Sequence, residues 1–164
     1  MDNIIFSLDP ASTTGWCCIS VQGNDIKIIT ACTFTLKTKA FGEKMCEMKT
    51  QVRRLLSLYK PTFVICEELN YFRGGKTTRF LVGIRGIIAE AVWKYNQTDL
   101  NFTAAVSARK VIGVGGGAAK EQVAEYLKAN FNNDPDVNWE DNNQTDALCL
   151  AVAFAEEIKE GRAK

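Results

Sequence analysis

The sequence predicts an α/β fold, a mixed five-stranded sheet with helices on both faces. Three observations carry that expectation. An apolar run (Ile4, Ile5, Phe6, Leu8) ends on a carboxylate, Asp9; an apolar hairpin pattern surrounds Gly23-Asn24-Asp25; and from Ala40 onward helical and strand patterns alternate. At 164 residues and 46% hydrophobic content, the chain can bury one substantial core, so a single domain spanning 1–164 is expected.

The first strand stops at Pro10, which cannot donate to a ladder. Burying an unpaired anion costs several kcal/mol, so Asp9 must meet water, a cation or a donor-rich turn. Ser12, Thr13, Thr14 and Gly15 offer such a turn. Asp9 is therefore either a turn cap or a functional carboxylate. Trp16 to Val21 and Ile26 to Phe34 form the hairpin, giving three antiparallel strands. Phe41, Met45, Met48, Val52, Leu55 and Tyr59 recur at helical spacing, which predicts an amphipathic helix over Ala40 to Lys60, stopped by Pro61.

Thr62 to Cys66 is a short strand ending in Glu67 and Glu68, followed by a loop over Asn70 to Lys76 with two aromatics, two glycines and two cations. Thr77 to Tyr95 reads as a helix whose broad apolar surface suits burial on two sides, one of them against a partner chain. Leu100 to Val106 reads as a strand. Gly113 to Gly117 breaks the chain before a helix over Ala118 to Asn130, a polar loop with Pro135, and a last helix from about Asn143 to Gly161. Three strands, helix, strand, helix, strand, helix, helix is the order of an RNase H-like fold. In that fold the first and fourth strands lie side by side, which brings Asp9 and Glu67 to one sheet edge.

Composition narrows the chemistry. The chain has no histidine, which removes Ser-His-Asp and Cys-His catalysis and His-ligated metals. Its six cysteines contain no CxxC pair and lie in apolar segments, so they read as buried reduced thiols. No signal peptide or bilayer-length apolar run is visible, and the expectation is a soluble cytoplasmic protein. The net charge of +1 is uneven: Asn70 to Asn130 holds nine Lys/Arg against four acids, which suits a polyanionic partner. Carboxylates without His or Cys partners select hard cations, Mg²⁺ or Mn²⁺. Asp146, early in the last helix and followed by an apolar run, is out of place if that helix only packs. Converging with Asp9 and Glu67, it would complete a three-carboxylate site that holds two divalent metals for phosphodiester hydrolysis.

On these residues the chain resembles the RuvC-type Holliday junction resolvases. The resemblance runs from LDPASTTGW through KPTFVICEELNYF, GIRGIIAEAV and VIGVGGGAAKEQV to TDALCLAVAFA, five motifs in the family's order. It implies metal-dependent cleavage of four-way junctions and forks by a homodimer, in DNA recombination and repair, leaving 5′-phosphate products. Carried over residue by residue, Asp9, Glu67 and Asp146 are the catalytic metal ligands. Glu67 is preferred to Glu68 because it lies six residues after Pro61 and nineteen before Gly86, as the family's glutamate does. Lys120 matches the lysine placed near the scissile phosphate, and the upstream lysine maps onto Arg109 or Lys110.

The family's fourth acid, one turn before the last aspartate, is replaced by Asn143. That residue can offer a neutral carbonyl to a metal or simply cap the helix, and Asp141 is the less favoured substitute. The departure and the divergent glycine loop fit a phage-encoded or otherwise diverged member. Tyr71 and Phe72 occupy the place of the family's base-stacking aromatic, with Arg73, Lys76, Arg79 and Arg85 as phosphate contacts. The glycine loop is expected to let backbone amides approach a DNA phosphate. Three other readings remain at this point: a branched-DNA-binding protein that does not cut, an actin-like or sugar-kinase-like ATPase, suggested by DPASTTG, and a monomeric nuclease of the same fold that processes RNA.

Overall fold

A computed structural model of the chain describes residues 3–69, 75–131 and 137–162. Tyr71, Phe72, Arg73 and Pro135 lie outside the described residues. Five strands, β1 (Asn3–Asp9), β2 (Thr13–Gln22), β3 (Asp25–Thr35), β4 (Phe63–Glu67) and β5 (Asn101–Thr103), form one sheet in the order β3-β2-β1-β4-β5. β1 pairs antiparallel with β2 and parallel with β4, and β5 adds parallel to β4. The mixed sheet and the β1–β4 adjacency are as the sequence predicts.

Among the described residues, five helices cover the two faces: α1 (Phe41–Tyr59), α2 (Gly75–Asn96), α3 (Ala105–Val111), α4 (Lys120–Phe131) and α5 (Asn142–Lys159). Alternation along the strands sends Phe6, Leu8, Trp16 and Cys18 toward α1 and α2, where they meet Met48, Val52, Leu55, Ile84 and Ile88. Ile5, Cys17 and Ile19 face the other way, into a core built with α3, α4 and α5. Every residue from Ala147 to Ala155 is buried, because α5 lies against β1 to β4 on one side and α3 and α4 on the other.

Two expectations fail here. Leu100 to Val106 is not one strand: the strand ends at Thr103, and α3 begins at Ala105. β5 is an edge strand paired with β4 over three residues only, while Ala108 and Ile112, both buried at i,i+4 spacing, draw the chain into a helix. Nor are all six cysteines buried, for Cys32 and Cys46 are exposed. Cys32 follows buried Ala31 and so points to the other face of the edge strand β3, and Cys46 lies on the outer side of α1.

Candidate active site

The two central parallel strands set the first two carboxylates. Asp9 is the last residue of β1 and Glu67 the last of β4, so the β1–β4 pairing brings both to one edge of the sheet. The turn after β1 is closed by Thr14, whose hydroxyl donates to the Ala11 carbonyl at 2.8 Å, and not by Asp9. Asp9 instead shares a hydrogen bond with the Glu67 carboxyl. Burial, followed by this contact with Asp9 and its charge, pushes the Glu67 carboxyl up to about 8; Arg85 opposes the shift. Glu68, next in the chain, is exposed, in keeping with a solvated neighbour.

The third carboxylate arrives with α5. Gly15 opposes Asp9 across the β1–β2 ladder, and a Cβ on it would fall 1.9 Å from the Asn143 carbonyl oxygen. Only a residue without a side chain lets the start of α5 come this close. Buried Ser7 donates to the Ala147 carbonyl at 2.7 Å, which pins the helix to β1 one residue beyond Asp146. The result is a small cleft lined by Asp9, Glu67 and Asp146, with Ala105, Ala108, Arg109, Cys149 and Leu150 as its remaining walls.

Cations complete it. Lys120, in the first turn of α4, is paired with Asp146, and the Arg109 guanidinium stands 3.9 Å from the other Asp146 oxygen. Arg109 also donates to the Ala118 carbonyl at 3.1 Å, tying α3 to the segment before α4. Of the two candidates for the upstream cation, Arg109 lines the cleft; the Lys110 stem passes beside Gly116, where an added Cβ would meet it at 2.8 Å. In the glycine loop, Gly113 and Gly115 hold φ near +90°, so the loop's composition answers to its own backbone.

Arg85 corrects a sequence expectation. It is not a surface phosphate contact but a buried guanidinium, 8% exposed, whose Nε donates to the Glu67 carbonyl at 2.9 Å and whose Nη1 donates to the Leu81 carbonyl at 3.1 Å. Its Nη2 lies 3.7 Å from the Glu67 carboxylate. Sequence reading missed this because a cation on an amphipathic helix ordinarily faces water; its position one residue after buried Ile84 was the available signal. Asp141 is the N-cap of α5, accepting from the Asn143 backbone at 2.9 Å, its side chain at 3.2 Å and Gln144 at 3.3 Å. Lys76 and Arg79 are exposed on the first turns of α2.

The carboxylates fit a hard divalent cation by donor type. Asp9 and Glu67, hydrogen-bonded to each other, require either a shared proton or a cation to stay together. The trio is not a closed ligand set, however: among the described residues, no group of three Asp, Glu, Cys or His side chains is arranged to hold one ion. Asp146 is engaged by Lys120 and Arg109 instead.

The family profile described as crossover junction endodeoxyribonuclease RuvC matches residues 5–154, a span that includes all three carboxylates and both cations. The chain belongs to this family. The RuvC of Aliarcobacter butzleri is 28% identical over 155 residues, covering 94% of this chain and 99% of that protein. The RuvC of a Wolbachia strain from Drosophila simulans is 29% identical over 154 residues, covering 92% and 93%. Among solved structures, Thermus thermophilus RuvC in complex with a Holliday junction substrate superimposes with a TM-score of 0.86 at 18% identity, covering 99% of this chain and 98% of that one. The yeast mitochondrial Holliday junction resolvase follows at 0.73 and 14% identity, over 98% and 82%. These likenesses establish the RNase H-like fold of RuvC proteins for this chain. Among the described residues, no helix is long and apolar enough to cross a membrane.

Proposed function

We propose that this chain is a single-domain, metal-dependent endonuclease that cleaves Holliday junctions and related branched DNA as a homodimer. One observation carries the reading: three carboxylates from three separate elements line one cleft, with Lys120 and Arg109 beside them, in a chain of the RuvC family. Asp9, Glu67 and Asp146 would hold Mg²⁺ or Mn²⁺, two ions per site, and Asn143 would add a neutral amide oxygen while Asp141 remains the helix cap. When bound, such ions supply Lewis-acid catalysis of phosphodiester hydrolysis.

The chain's own residues do the rest. Arg85 stands behind Glu67 and favours its ionised form, which is the form that can serve as a ligand. Lys120, released from Asp146, is placed to neutralise charge developing on the phosphate, and Arg109 braces the same carboxylate from α3. Lys76, Arg79 and Lys110, with Tyr71, Phe72 and Arg73, are the DNA contacts of this reading. Homodimer formation is supported by α2, where Val82 and Trp93 are about half exposed and a Cβ at Gly86 would meet nothing.

Nicking of a labelled four-way junction, a fork and a linear duplex in Mg²⁺, Mn²⁺ or EDTA tests the proposal. Asp146→Asn is expected to lower junction cutting at least about a thousandfold while leaving junction binding in place. Cutting retained in Asp146→Asn would overturn the site assignment. Tight junction binding by the wild type with no cutting in either metal would mean a binding protein.

A further inference from the structure

The structure holds a second feature that the carboxylate cleft does not use. The start of α1 and the start of α2 lie side by side, and between them runs an open groove of about 540 Å³ lined by Lys39, Phe41, Lys44, Lys76, Arg79 and Phe80. Among the described residues, four cations and two aromatic rings line it, and no carboxylate does. We propose that this groove binds an unpaired segment of DNA, an aromatic face taking a base and the cations taking its phosphates. The inference rests on the branched-DNA reading and names where the single-stranded part of such a substrate goes.

Topology puts the groove on the substrate side. β1 ends at Asp9 and β4 at Glu67; β3, antiparallel to β2, ends at Thr35, paired with Thr13 at the same edge. The chain enters α1 from the end of β3 and α2 from the end of β4, so both helices begin at the edge that carries the carboxylates.

The ring of Phe41 is built as a platform. It is 55% exposed, an unusual state for phenylalanine, yet it is seated against α2: a Cβ at Gly83 would come within 3.0 Å of its Cζ. The glycine lets the ring lie on the helix backbone with one side left to solvent. The Lys44 ammonium stands 5.1 Å from the centre of the Phe80 ring. Aromatic rings alternating with cations suit a single strand, because every base has a stacking face and every nucleotide a phosphate. A paired duplex hides its base faces and leaves a phenylalanine nothing to stack on.

The test uses the full chain in EDTA, so that the DNA stays intact. A fluorescent fork with one unpaired arm is compared with a duplex of equal length, and 2-aminopurine in the unpaired arm beside the branch reports stacking. Phe41→Ala is expected to weaken fork binding about tenfold, to change duplex binding less than about twofold, and to abolish the 2-aminopurine quench, while Phe41→Trp retains it. Lys39→Gln with Lys44→Gln, two surface changes, should lower the slope of log affinity against log salt by about 1.4 for the single-stranded arm.

Fork affinity, quench and salt slope unchanged in these variants would overturn the groove. So would equal losses on fork and duplex, or a change in the solution mass of Phe41→Ala that shows the groove covered by a second copy. These results leave the nuclease reading intact if the wild type cuts junctions in Mg²⁺ and Asp9→Asn does not. Absence of both cutting and branched-DNA binding in the wild type would overturn both.

Discussion

α5 and α2 are both rich in apolar residues, and the fold treats them oppositely. α5 is closed in by the sheet and by α3 and α4, so its apolar run lies inside the chain and Asp146 sits one residue before a stretch buried from Ala147 to Ala155. α2 packs on one side only, leaves Val82 and Trp93 about half exposed, and buries a guanidinium, Arg85, against the strand end it faces. Composition is therefore a poor guide to how many sides a helix buries. The sequence expectation for α2 put one side against its own chain and the other against a partner; within this chain it buries the one side, and α5 is the helix closed in on two. On the proposed function, what an element must carry decides the difference: an aspartate that would hold a metal needs fixed geometry, whereas an exposed apolar face is what a second subunit would cover.

The sharpest way to break the comparison is to overfill each helix. Ala151→Leu, at a fully buried α5 position, should cost about 1 to 3 kcal/mol or more in urea unfolding, while Val82→Leu on α2 stays within about 0.5 kcal/mol. Equal costs would mean that α2 is as enclosed as α5.

The paired carboxylates come next. Burial and the neighbouring Asp9 push the Glu67 carboxyl up to about 8, above the ~4.3 of an unfolded chain, so folding retains a proton that the unfolded chain releases. The stabilising share is full below about pH 4.3 and is lost as pH rises through about 8, on the order of 2 to 4 kcal/mol in metal-free buffer. Unfolding followed from pH 5 to 8.5 in EDTA checks this, and Glu67→Gln or saturating Mg²⁺ should flatten the decline. A flat profile in the wild type would show that burial and Asp9 do not raise the Glu67 carboxyl.

Smaller effects sharpen the picture. Ser7→Ala removes the bond that holds α5 to β1 and should lower stability by about 1 kcal/mol, with a larger proportional loss in cutting than in junction binding. Trp93→Glu is expected to change stability at high dilution by less than about 0.5 kcal/mol. It should nonetheless shift the mass in light scattering from dimer to monomer if α2 is the subunit interface.

Much of this protein was legible without coordinates. Hydrophobic period, Pro10 and Pro61, and the Gly23 turn marked the strands and helices, and their order implied the β1–β4 adjacency that joins Asp9 to Glu67. These are local signals, readable because the alternation of a strand and the turn of a helix are written in nearest neighbours. α3 escaped because a short apolar stretch before alanines supports a strand and a helix alike. Arg85 escaped because a buried guanidinium is defined by what lies across from it, a strand end some eighteen residues away.

The sequence by itself determined the fold class and the family, and it named the three carboxylates that line one cleft. Only the tertiary structure decided that Arg109 lines the cleft beside Asp146, that Arg85 stands behind Glu67, that Asp141 is a cap, and that Lys39, Phe41 and Lys44 meet Lys76, Arg79 and Phe80. The physical reason is the same in each case. A side chain's role depends on dielectric, distance and partners brought from remote parts of the chain, and none of these is a property of the residue or its neighbours in sequence.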